Sequence, residues 1–135
     1  MKSKIIIVLA VFAVFFSCKN EVKEEVKPIV KSSETTEIQL VQFHAEHRCV
    51  TCNNIEKLSK ETIKGNQAIS FVLYNVDDEK NAKVAEQFEA SGTSLYLYNS
   101  KTKVTKDLTE MAFMYAKNEG DQFKTELQKE ISAFK

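Results

Sequence analysis

Two apolar runs of strand length, Ile38-Gln39-Leu40-Val41-Gln42-Phe43 and Ala68 to Val76 (AISFVLYNV), flank a segment whose apolar residues fall at helical spacing. Ile55, Leu58 and Ile63 share one helical face, and Gly65 after Lys64 supplies the stop. A strand, a helix and a second strand in that order imply a right-handed crossover and a parallel pair. The rest of the chain extends this unit. Asp77-Asp78 caps a helix running to about Glu89, with Val84 and Phe88 on one face, and Ser91-Gly92-Thr93 breaks it. Leu95-Tyr96-Leu97-Tyr98 and Lys103-Val104-Thr105 read as a hairpin across Asn99-Ser100-Lys101-Thr102, which adds an antiparallel edge. A short helix is predicted from Met111 to Tyr115. Phe123, Leu127, Ile131 and Phe134 then recur at offsets of 4, 4 and 3 in a last helix opened by Gly120-Asp121. That aromatic stripe is core packing, not a ligand site. The pattern predicts an α/β domain with a mixed sheet of about four strands flanked by helices.

The N-terminus follows other rules. Met1-Lys2-Ser3-Lys4 is basic, and Ile5 to Phe16 is continuously apolar. The apolar run is well short of the about 20 residues that a helix needs to span a bilayer, so the segment reads as an export signal. It ends in Phe15-Phe16-Ser17-Cys18, which resembles a bacterial lipobox, with Phe15 standing where that pattern favours leucine. The resemblance implies cleavage after residue 17, lipidation of Cys18 and anchoring on the extracytoplasmic, periplasmic side of a bacterial membrane. The alternatives are a plain secretory signal or an uncleaved anchor in which Cys18 has no role. Cleavage would remove Lys2 and Lys4 from the 19 basic residues, so 17 would face 19 acidic ones at a net charge of −2. From Lys19 to Thr36 the chain is charged and polar, with the only proline at Pro28 and no apolar period. The expected organisation is a signal peptide at 1–17, a lipidated flexible tether at 18–36 and one folded domain at 37–135. The balance of charge over the whole chain gives no global field that would draw nucleic acid.

Lipidation would consume one of three cysteines and leave a single pair, Cys49 and Cys52, in Phe43-His44-Ala45-Glu46-His47-Arg48-Cys49-Val50-Thr51-Cys52. Outside the cytoplasm such a pair is oxidised unless something reduces it. As a staple it would constrain only a very short loop and stabilise little. It lies just past the carboxyl end of the first strand, where open α/β sheets gather their chemistry.

From about Glu37 to Phe134 the order of elements and the setting of Cys49-Val50-Thr51-Cys52 resemble the thioredoxin superfamily, a three-layer sandwich. Val41 to Cys52 resembles that family's active-site strand and turn. Arg48-Cys49-Val50-Thr51-Cys52 is most similar to a small thioredoxin-like family of nitrophenyl-compound nitroreductase subunits. The resemblance implies a thiol–disulfide oxidoreductase that needs no cofactor and exchanges electrons with protein thiols, disulfides and an upstream donor or acceptor. Cys49 would be the exposed attacking thiolate, since amides at a helix N-terminus and the helix dipole favour an anion there and can bring a cysteine from about 8.5 to ~3.5–7.5. Cys52, one turn later, would be more buried and would resolve the mixed disulfide. Arg48 could assist, but a cation ~4 Å away in water contributes only about 1 kcal/mol, under one pKa unit. His44 and His47 stand where the family often has tryptophan, and they are expected to pack beside the motif.

Two positions depart from the family. Gln42 stands where a buried aspartate usually accepts the second cysteine's proton, so water, Glu46 or another group must do so. Gly92-Thr93-Ser94 stands where a cis-proline usually faces the disulfide, and a cis bond without proline costs ~2.5–4 kcal/mol, so this loop is expected to be trans, the alternative being a cis bond held at some strain. Two other functions stay open. Two thiolates could hold a soft ion such as Cu(I), or zinc with help from His44 or His47, although His44-x-x-His47-x-Cys49-x-x-Cys52 is too compressed for an ordinary four-ligand zinc module. The chain could also be a non-catalytic accessory subunit of a reductase. It has three glycines and no glycine-rich βα turn of the kind that binds flavin or nicotinamide.

Overall fold

The computed structural model describes residues 36–134. The expected signal peptide, Cys18 and nearly all of the tether lie outside the described residues. Strand β1 (Ile38–His44) is built from alternation: Leu40 faces one side of the sheet, Val41 and Phe43 the other, and all three are buried. Helix α1 (Val50–Ile63) follows the dithiol motif. Strand β2 (Ile69–Asn75) then returns parallel to β1, in register from Ile38 opposite Ile69 to His44 opposite Asn75. Gly65, at φ +84, makes the reversal after α1, a conformation that a Cβ would strain.

The predicted helix after Asp77-Asp78 is shorter and tighter at its start. Asp78 caps a 3-10 turn at Glu79–Asn81 by accepting from the Lys80 amide at 3.0 Å, and α2 (Ala82–Gln87) continues from it. Strand β3 (Ser94–Asn99) is buried throughout and runs antiparallel to β1. The second hairpin strand is Thr105–Asp107 (β4), two residues beyond the stretch expected from sequence. Lys103 adopts φ +64 and donates its amide to the Asn99 carbonyl, while the Asn99 amide donates to Val104, so the turn takes up residues assigned to the strand. Helices α3 (Thr109–Ala116) and α4 (Gly120–Ala133) complete the chain.

The sheet order is β2-β1-β3-β4, with β1 inside. One face carries Leu40, Ile69, Leu95 and Leu97 against Ile55 of α1, Ala112 and Ala116 of α3, and Phe123, Leu127 and Ile131 of α4. Phe134, just past α4, joins the same core, so the whole predicted stripe is buried in it. Among the described residues the opposite face has only short α2 to cover it, and large rings fill the space. Phe43 lies 5.5 Å from Tyr74, 5.4 Å from Phe88 and 5.9 Å from Tyr96, centroid to centroid. Helices therefore cover both faces of a mixed four-stranded sheet, the predicted α/β three-layer sandwich. None of the helices among the described residues is long and apolar enough to cross a membrane.

Candidate dithiol site

The loop between β1 and α1 is tied to the end of β2 before it reaches the cysteines. The Val76 amide donates to the His44 carbonyl at 2.9 Å, and the Glu46 amide donates to Asp77 Oδ2 at 2.7 Å. Asn75 Nδ2 donates to Glu46 Oε2 at 2.6 Å. These bonds fix where the chain enters α1. Cys49 is the N-cap residue of that helix, with extended backbone, and its sulfur accepts the Cys52 amide at 3.3 Å. Its carbonyl accepts the Asn53 amide at 3.1 Å, the first helical bond. A sulfur in the position usually held by a serine or aspartate oxygen thus receives an otherwise orphaned N–H.

The two sulfurs differ sharply in access. Cys49 is exposed, whereas Cys52 is 4 % exposed. They lie 2.7 Å apart, within easy reach of the ~2.05 Å bond of a disulfide. Cys49 is held below the usual thiol range. The hydrogen bond from the Cys52 thiol is the largest cause, followed by the Cys52 amide; slight desolvation opposes them, and the Thr51 and Cys49 amides add to the lowering. Sequence reasoning anticipated the amides but not the leading part of the neighbouring thiol.

Arg48 does something other than the assistance considered from sequence. Its Nη1 pairs with Glu56 Oε2 at 2.6 Å, and its Nη2 donates to the Cys52 carbonyl at 3.4 Å. Glu56 also pairs with Lys60. Partial burial pushes the Glu56 carboxyl up, but hydrogen bonds and charge from Lys60 and Arg48 outweigh it and hold the group below its ordinary value. An arginine neutralised in this way projects little field onto a sulfur, and it is absent from the causes that lower Cys49. Arg48 strapped across the first turns of α1 is a positioning residue.

Gln42 is fully buried on β1, and its Nε2 donates to the Cys52 carbonyl at 3.0 Å, which leaves Oε1 without a partner. Glu46, one group considered for taking the Cys52 proton, is held instead by Asn75 at the far end of the loop. His44 turns Nδ1 to the Ala45 carbonyl at 2.8 Å, and His47 is exposed. Among the described residues no group of three or more His, Cys, Asp or Glu is arranged to hold a metal ion. The Gly92-Thr93-Ser94 loop is trans, as expected. Thr93 brings its Oγ1 to 3.0 Å from Cys52 Sγ. The sequence placed the Gly92-Thr93-Ser94 loop at the cis-proline position and offered no sign of a contact between Thr93 and sulfur. Nor did it signal the Glu56 partner of Arg48 or the anchors Asn75 and Asp77.

No protein-family model matches the chain, and no curated protein matches it. Among solved structures, the thioredoxin of Fasciola hepatica is similar at a TM-score of 0.50 and 20 % identity, over 74 % of this chain and 83 % of that one. A structure described as a malarial protein reaches a TM-score of 0.41 at 20 % identity, over 57 % of this chain and 92 % of that one, a likeness that carries no weight for the fold. The fold is thioredoxin-like. A C-x-x-C pair at the first strand-to-helix junction of such a fold points to redox chemistry.

The causes of the Cys49 shift are separable. Cys52→Ala removes the largest of them and is expected to raise the Cys49 pKa toward that of a free thiol, read from thiolate absorbance near 240 nm. Arg48→Met is expected to leave it nearly unchanged. A large rise in Arg48→Met alone would mean that the guanidinium, not the thiol and amides, holds the anion.

Proposed function

We propose that this chain is a membrane-tethered thiol–disulfide oxidoreductase acting outside the cytoplasm, with Cys49 as the attacking thiolate and Cys52 as the resolving thiol. One observation carries the reading: an exposed, acidified sulfur on a helix N-terminus stands 2.7 Å from a buried one. That asymmetry divides the labour of exchange. The Cys49 thiolate attacks one sulfur of a partner disulfide, and the other sulfur departs as a thiolate. The mixed disulfide then brings Cys49 Sγ under attack by Cys52, which releases the second partner sulfur and leaves the pair oxidised. Two electrons pass to the partner, and the same steps in reverse would oxidise a dithiol. The electrons pass from sulfur to sulfur, and a further redox protein is required to reset the pair.

The tether rests on residues 1–36, namely the basic start, the short apolar run, the lipobox-like Phe15-Phe16-Ser17-Cys18 and the polar stretch behind them. A polar tether of about 18 residues would be long enough to let the domain range over tens of Å above a membrane. In that location the pair is oxidised by default, so reductive work would depend on an electron donor. A soft-metal carrier is the second reading: Cu(I) would need only the two thiolates, whereas zinc would need further ligands, and His44 Nδ1 is turned to the Ala45 carbonyl. A nitroreductase accessory subunit is favoured only by the Arg48-Cys49-Val50-Thr51-Cys52 resemblance.

Cys49→Ser is expected to abolish reduction of a protein disulfide such as that of insulin. Cys52→Ser is expected to accumulate a mixed disulfide, visible on a non-reducing gel and released by dithiothreitol. Full activity in both variants would overturn the redox reading and favour an accessory role. For the anchor, Cys18→Ser is expected to abolish incorporation of labelled fatty acid and to move the chain out of the membrane fraction. Unchanged fractionation and labelling would remove the lipid tether from the account.

A further inference from the structure

We propose that the Thr93 hydroxyl is the proton conduit for Cys52, and so a third side chain of the reacting centre. This rests on the thiol–disulfide reading above and adds the group that lets the buried sulfur ionise. Cys52 is 4 % exposed, so solvent has almost no direct access to its sulfur. Its proton must leave before it can attack, and the neighbouring groups offer few ways out.

Gln42, fully buried on β1, turns its amide nitrogen to the Cys52 carbonyl. An amide takes up no proton near neutrality. On α1, Glu56 is engaged by Arg48 and Lys60. In the preceding loop, Glu46 is engaged by Asn75, and His44 by the Ala45 carbonyl. The Cys49 sulfur is close, at 2.7 Å, but in the resolving step it is already bonded to the partner and is no longer a thiolate. The Thr93 oxygen, 3.0 Å from Cys52 Sγ, remains. Thr93 lies in the loop ahead of β3 and is only partly buried, so the residue joins the sealed sulfur to the surface. A hydroxyl has one proton to give and two lone pairs to receive, which suits it to passing a proton on without holding charge.

The step balances as follows in the reducing direction. The Cys52 thiol gives its proton to Thr93 Oγ1 while the original Thr93 hydroxyl proton passes to solvent. The freed electron pair on Cys52 Sγ forms the bond to Cys49 Sγ. The bond between Cys49 Sγ and the partner sulfur breaks, its electron pair leaves with that sulfur, and solvent protonates the thiolate. Thr93 ends unchanged.

The test separates the two sulfurs. When an excess of reduced protein meets the aromatic disulfide 5,5′-dithiobis(2-nitrobenzoate), attack by Cys49 releases one coloured thiolate and resolution by Cys52 releases the second. Thr93→Val keeps the shape of the side chain and removes the hydroxyl. Its first phase is expected to match that of the unsubstituted protein, with the second slowed on the order of 100-fold, as for loss of a positioned proton-transfer group. Thr93→Ser is expected to restore the second phase, and Thr93→Ala to repeat the defect should the valine variant fail to fold. A second phase equally fast without the hydroxyl, or equally slow in Thr93→Ser, overturns the proposal. No first phase in the unsubstituted protein would instead overturn the redox reading on which it rests.

Discussion

A strand with a neighbour on each edge and a packed layer on each face has no free direction, and β1 is such a strand. It pairs with β2 and β3 along nearly its whole length. Leu40 sits in the three-helix core, while Val41 and Phe43 sit in the aromatic one. A slip by one residue would exchange the two sets and set Gln42 among the rings of the second face. What leaves the carboxyl end of β1 is therefore delivered to a fixed place. The bonds from Val76, Asp77 and Asn75 extend that fixity into the loop. The dithiol inherits its geometry from the middle of the sheet.

Acidification of Cys49 is the chemical product of that placement. The sulfur serves as its helix's N-cap, so an amide that would otherwise lack a partner points at it. The thiol one turn on adds a second donor, and the site is so exposed that loss of solvent penalises the anion only slightly. No free cation is required. The Arg48–Glu56–Lys60 set is close to the motif, yet it works as a mechanical strap over the first turns of α1. The sign of the effect is plain. A folded-state pKa below the unfolded one contributes stability that is present above the ordinary thiol pKa and is lost as the pH falls through the lowered value. The fold of the reduced chain is therefore favoured most at the pH where Cys49 is ionised.

Much of this was legible because it depends on local periodicity. The alternation in Ile38–Phe43, the helical spacing of Ile55, Leu58 and Ile63, and the Phe123–Phe134 stripe are one-dimensional traces of burial, and the layers follow from them. The shift of β4 was not legible, since nothing near Lys103 announces a left-handed residue that lengthens the turn. The region from Asp77 to Glu89 showed its cap and its apolar pair but not its 3-10 opening. Within the site, the strand-to-helix setting of Cys49 and Cys52 was readable from the motif. The contacts of Arg48 with Glu56 and of Thr93 with Cys52 join residues 8 and 41 positions apart. Such contacts leave no periodic trace.

The most direct measurement is site-resolved alkylation of the reduced protein across pH, with each modified cysteine identified by mass spectrometry. Iodoacetamide should label Cys49 at a lower pH than a free thiol requires, while Cys52 stays protected until the fold opens. Equal labelling of the two, or labelling of Cys49 only in alkaline buffer, would contradict the account.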